Sequence, residues 1–211
     1  MAGTGSSEYD TEVAELSLAL EEINTGSHRV CAIVGVALLE ESLEHAIRKR
    51  LGQLERLYRN DEDEENRDYI SEISKALKVN NFIGSIDPKI RMAYFLGIIG
   101  KEAKDNLLAI SSIRHQFAHR KHVRDFDDER LKQLFKNITA HQRMPASIRL
   151  AIRERARFVP LAQNATRRER FTRAVQVLML SIRFRSFTIE DSVVMHDPPD
   201  FCKRSATTTL R

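Results

Sequence analysis

Cysteine is scarce in this sequence, with only two residues, and they stand far apart in kind: Cys31 in an apolar helical run, Cys202 in a polar tail. That excludes a disulfide framework and predicts two separate thiols in a reducing compartment. At 211 residues the chain is long enough to bury a core without such staples. Glycine is sparse too. Gly97 and Gly100 bracket a helix end and no Gly-Lys-Ser/Thr follows them, so a phosphate-cradling loop is ruled out. Long apolar runs are missing: the longest, Val30 to Leu39, ends at Glu40 and Glu41, which suits a buried helix and not a membrane span. The first residues show neither the basic start nor the apolar stretch of a signal peptide, and a cytoplasmic protein with no membrane partner is expected. No segment alternates with period two over a useful length, which leaves strands without support.

What remains is helical periodicity. Leu16, Leu20 and Ile23 form one stripe that Thr25-Gly26 ends, and Ser27 can cap the next helix. From there to about Leu57 no proline intervenes, and Ile33, Leu39, Leu43, Ile47, Leu51 and Leu54 line the longest helix. A short helix is expected around Tyr69 to Leu77, another from Lys89 to Ile99, and then one starting at Lys101 with Ala103, Leu107, Ile110, Ile113 and Phe117 on one face. Leu131, Leu134, Phe135 and Ile138 follow a run of acids that favours a helix start. Helices near Pro145 to Arg157 and Ala165 to Phe187 complete the chain. The fold expected is all-α, a bundle of about six to eight helices spanning residues 11–187, with disordered termini at 1–10 and 188–211.

Charge is divided along the chain. Residues 1–66 hold 6 Lys/Arg against 15 Asp/Glu, whereas the remainder holds 28 against 15. A basic second half is compatible with phosphate contacts, although the total does not say which face carries them.

Groups able to do chemistry concentrate between Ile113 and Arg120, which read Ile-Arg-His-Gln-Phe-Ala-His-Arg. The spacing of His115 and His119 matches a helical zinc-protease motif, but Gln116 stands where the glutamate base belongs, and a carboxamide cannot take a proton from zinc-bound water. A metal held by His115, His119 and His122 is opposed by the arginines beside them, so no metal or other cofactor is expected. At roughly 100° per residue Arg114 lies about 40° from Ile110, near the apolar face, while His119 lies about 180° away. One straight helix does not converge the pair: either it breaks near Ala118, or a second chain completes the site. Glu40 falls inside the apolar stripe of its own helix and is the expected ion-pair partner of Arg114.

Several stretches resemble the mannitol operon repressor (MltR-like) family. They are Asp87-Pro88-Lys89-Ile90-Arg91-Met92-Ala93-Tyr94-Phe95-Leu96-Gly97-Ile98-Ile99, then Leu107 through Ile113-Arg114-His115-Gln116-Phe117-Ala118-His119, and Phe126-Asp127-Asp128. The run Val30 to Val36 leading to Leu38-Leu39-Glu40 fits more loosely, and the resemblance spans roughly Ser27 to Ile138, about half the chain. The Arg-x4-His spacing from Arg114 to His119 is also similar to the signature of HEPN-superfamily helical domains, many of which are metal-independent endoribonucleases.

The second resemblance implies a homodimeric endoribonuclease, a toxin or stress effector, in which the RNA's own 2′-hydroxyl attacks its phosphate. His119 would move the proton, Arg114 would hold phosphate oxygens, His115 would orient them, and Glu40 would support Arg114 from behind. An antitoxin would be its natural partner. The first resemblance implies instead a noncatalytic regulator acting through protein or nucleic-acid partners, with the same residues serving fold and dimer.

Overall fold

The computed structural model describes residues 18–58, 68, 71–72, 75, 85–120, 122–142, 161–162 and 164–191. Among them there are α-helices and short 3-10 turns and no strand. The helices expected near Tyr69 to Leu77 and Pro145 to Arg157 fall largely or wholly outside these residues, as do both expected disordered termini and Cys202.

Helix α1 (residues 18–25) buries Ile23 and ends at Gly26, after which the Ser27 hydroxyl accepts the amide of Val30 and starts α2 (His28–Tyr58). This long helix is the spine of the bundle, because Cys31, Ala32, Val36, Leu39, Leu43, Ala46, Ile47 and Leu51 recur at three- and four-residue intervals and are all buried. Helix α3 (Ile86–Phe95) carries an acid and Pro88 in its first turn, where both are tolerated. It was expected to continue to Ile99. Instead Gly97 adopts φ 71°, and the amides of Ile98 and Ile99 both turn back to the Ala93 carbonyl, so the helix closes four residues earlier. Ile98 and Ile99 are buried as anchors of that turn.

Helix α4 (Lys101–His119) follows, then a 3-10 turn at Glu129–Leu131 capped by the Asp128 carboxylate, and the short α5 (Lys132–Lys136). A second 3-10 turn, Ala140–Gln142, precedes α6 (Arg167–Asp191). Thr166 and Glu169 cap α6 reciprocally: the Glu169 carboxylate accepts the Thr166 amide while the Thr166 hydroxyl accepts the Glu169 amide. The helix runs to Asp191, past the boundary that fading periodicity placed at Phe187.

Helices α2 and α6 lie side by side in the same direction, since Cys31 meets Thr172, Gly35 faces Phe171 and Val175, and Ser42 meets Arg183. Helix α4 runs the other way. Its last buried ring, Phe117, contacts Phe126, and Phe126 in turn packs against His28, Phe135 and Phe171 at centroid distances of 5.2, 5.9 and 4.8 Å. One aromatic residue in the loop after α4 therefore joins four elements. Its amide donates to Nδ1 of His28, which fixes that ring nitrogen as an acceptor. At the same end, the Arg168 guanidinium donates to the carbonyls of Ile23, Asn24 and Gly26 and closes the C-terminus of α1.

The α2–α6 crossing depends on Gly35, where an added Cβ would sit 3.3 Å from Val175 and 3.4 Å from Phe171. Gly35→Val is expected to destabilise the fold by about 1–3 kcal/mol through overpacking, read as a lowered urea midpoint. A midpoint unchanged or raised would show that the two helices can separate freely at this point.

Candidate functional site

The stretch from Arg114 to His119 is the C-terminal third of α4, and Arg120, in extended backbone, caps it. The Arg120 amide still donates to the Gln116 carbonyl at 3.0 Å, so the helix ends at His119, one residue past Ala118, and stays regular up to that end, which keeps Arg114 and His119 at helical positions. Five residues of α-helix turn through about 500°, which sets Arg114 and His119 about 140° apart around the axis. Arg114 is half-buried, between the buried Ile113 and Phe117 in sequence, whereas His115 and His119 are exposed. The two imidazoles are neighbours at i and i+4, with ring centroids 4.4 Å apart and planes tilted by 48°. The chain thus brings His115 and His119 together and leaves Arg114 on a different side of the same helix.

Gln116, the residue that spoils the zinc-protease pattern, is half-buried, and its Oε1 has no hydrogen-bond partner among the described residues. Among those residues no group of three His, Cys, Asp or Glu side chains is placed to hold a metal ion. The Cys31 thiol is buried against the Thr172 hydroxyl, and burial pushes its pKa up, which keeps it a poor nucleophile.

Glu40 is half-buried, but its partner differs from the one expected. Lys89 of α3 reaches it at 3.0 Å and reaches Glu44, one helical turn on, at 2.8 Å. The Lys89 side chain is only 5% exposed, and among the described residues no ion pair links Glu40 to Arg114. The physical reason is that α2 packs against both α3 and α4: an apolar stripe shows that Glu40 points inward, not which neighbour it meets. Burial opposes the charge on Lys89, yet the hydrogen bonds to Glu44 and Glu40 outweigh it and hold its pKa above the usual lysine value. Glu44 is pulled below the usual carboxylate value by the bonds from Lys89 and Arg48.

Two important polar residues escaped the sequence reading, and both left the same signal. Lys89 sits at the second place of the pattern Ile86, Lys89, Ile90, Ala93, and Asn106 sits between Ala103 and Leu107 on the inner face of α4. A polar residue in register with an apolar stripe must carry its partners inside. Asn106 does so fully: its Oδ1 accepts the amides of Thr139 and Ala140, and its Nδ2 donates to the Glu102 carbonyl and to the Thr139 hydroxyl.

Comparison with known proteins adds little. No family model matches the chain, and no curated protein matches it. Among solved structures, the X-ray structure of the MtlR–HPr complex from Escherichia coli contains a chain that is 18% identical, with a TM-score of 0.47, over 81% of this chain and 96% of that one. A likeness so remote assigns no chemistry. Among the described residues no helix is long and apolar enough to cross a membrane.

Proposed function

We propose that this chain is a noncatalytic regulatory protein of the MltR-like kind, working through contact with a protein partner. The observation that carries the reading is the regular α4: within one chain Arg114 stands about 100° from His115 and about 140° from His119 around the helix axis, an arrangement that does not favour a phosphate held by the guanidinium and both imidazoles together. A phosphate beside the imidazole pair of one copy would have the guanidinium on another side of the helix, away from its developing charge, which weakens the case for catalysis by a single chain. The resemblance of the stretch from Asp87 to His119 to the MltR-like family points the same way.

A second reading is kept because His115 and His119 are exposed and adjacent, which is what a substrate-facing pair requires. In it, the protein is a homodimeric HEPN-type endoribonuclease. Arg114, His115 and His119 of one copy are completed by those of another, with RNA as substrate and an antitoxin as partner.

The two readings separate in one assay. Purified protein is incubated with single- and double-stranded RNA in EDTA, beside His119→Ala. The regulatory reading expects no cleavage above background from either protein. Cleavage by the wild type that falls by about 100-fold or more in His119→Ala would overturn it in favour of the nuclease.

A further inference from the structure

We propose that the outer face of α3 and the turn after it form a docking site for an acidic segment of a protein partner, one that presents an apolar side chain between carboxylates. Helix α3 buries Ile86, Lys89, Ile90 and Ala93 and turns Arg91, Tyr94 and Phe95 to solvent. Phe95 is 68% exposed and Tyr94 42% exposed, and they form an adjacent pair among the few large apolar side chains the described residues leave outside. Arg91 and Phe95 are four residues apart and share one side of the helix.

The pair is held rigidly. The turn beneath it is closed by the Leu96 amide to Met92, the Gly97 amide to Tyr94 and the Ile98 and Ile99 amides to Ala93, with both isoleucines buried. Gly97 and Gly100 have nothing within 4 Å of where a Cβ would lie, so the approach to the turn is open. A projecting aromatic ring on a preordered backbone loses little conformational freedom when covered, which is how interface anchors gain most of their affinity.

Charge selects the occupant. Lys101 is exposed at the start of α4, Lys104 places its ammonium 4.3 Å from the centroid of the Tyr94 ring, and Arg91 is exposed on the other flank. The remaining cation of α3, Lys89, is already neutralised inside by Glu40 and Glu44. Of the nearby carboxylates, Glu102 is turned toward the far side of α4, where it accepts the Thr139 hydroxyl, and Asp105 stands 4.0 Å from Lys104. The rim of the aromatic pair is therefore positive. A nucleic-acid strand would need successive free ring faces to stack on. Here Lys104 already covers Tyr94, leaving Phe95 as a single knob beside the half-buried Met92 and Leu96, which suits an aliphatic pocket or side chain.

This docking site presupposes the protein-contact role proposed above, and its test is separate from the RNA assay. The full chain is isotopically labelled and titrated with a synthetic peptide of glutamates interrupted by leucine at every third or fourth place. Its lysine-for-glutamate counterpart and a single-stranded RNA oligonucleotide serve as the other arms. The acidic peptide is expected to shift amides of residues 91–101, and to weaken by about tenfold in Phe95→Ala and in Lys101→Glu as well as with added salt. Both substitutions lie on the surface, and matching thermal midpoints check that the fold is kept. Shifts that map elsewhere, equal affinity for the lysine peptide, or no loss in either variant would overturn the site. So would Phe95-dependent binding of the oligonucleotide in place of the peptide, or a change of oligomeric state in Phe95→Ala, which would show that a second copy covers the face.

Discussion

Asn106→Leu is expected to lower the stability of the fold by about 3 kcal/mol, because it strips the side-chain acceptor from two backbone amides, that of the half-buried Thr139 and that of the buried Ala140. Asn106 is 1% exposed and serves as a backbone substitute: its carbonyl accepts Thr139 and Ala140 at 2.7 and 2.8 Å, where the chain leaves α5 and no helix supplies an acceptor. Leucine fills the same space and so tests the hydrogen bonds apart from packing. A buried amide left without a partner costs about 1–3 kcal/mol, and here the buried one of Ala140 and the part-buried one of Thr139 lose their acceptor at once. Urea unfolding gives the total, and amide exchange at Thr139 and Ala140 should accelerate beyond the global effect. A loss under about 1 kcal/mol with unchanged exchange would mean that the turn finds other acceptors. Asn106→Asp keeps the acceptors but loses the two Nδ2 donors and places a second carboxylate near Glu102, so its stability should recover in part as the pH falls.

Lys89→Ala is expected to cost about 2–3 kcal/mol, less than a fully buried pair would, because Glu40 and Glu44 remain 31% and 30% exposed and water screens part of the interaction. Without Lys89 the two carboxylates face each other across one helical turn with only Arg48 to offset them. The pH dependence follows from the direction of each shift. Glu44 is depressed, so its contribution is present above the usual carboxylate value of 4.5 and is lost as the pH falls through the depressed one. Lys89 is raised, so its contribution is present below the usual lysine value of 10.5 and is lost only as the pH climbs through the raised one. Stability of the wild type should thus decline on the acid side below 4.5, and Lys89→Met should decline less steeply there, since Arg48 alone would hold Glu44. Urea midpoints of both proteins from acid to neutral pH make the comparison. Parallel curves would show that the Lys89 bonds contribute nothing to acid stability.

Much of the scaffold was legible from periodicity. The α2 stripe from Leu39 through Leu43 and Ile47 to Leu51, the cap at Ser27 and the inner face of α6 at Phe171, Val175, Leu178 and Ile182 appear where three- and four-residue spacing placed them, whereas Ile33, expected in the same α2 stripe, is exposed. Helix ends were less legible where a backbone state and not a residue type decided them. Gly100 looked like the stop of α3, yet Gly97 ends it, because two glycines in four residues carry the same local signal and only the packing of Ile98 and Ile99 selects between them. Partners were least legible of all. Glu40 could be seen to face inward, but the cation that meets it comes from α3 and not α4. The polar insertions at Lys89 and Asn106 were visible as breaks in an apolar pattern and were passed over.

An all-α chain and the angular separation of Arg114 from His119 follow from the order of residues alone, because helical periodicity and the pitch of one helix are local properties. Which charges pair, which aromatic rings meet at Phe126 and which are left in solvent at Phe95 required the packed bundle. Those contacts join residues tens of positions apart, and an amphipathic stripe specifies that a face is covered without specifying by what.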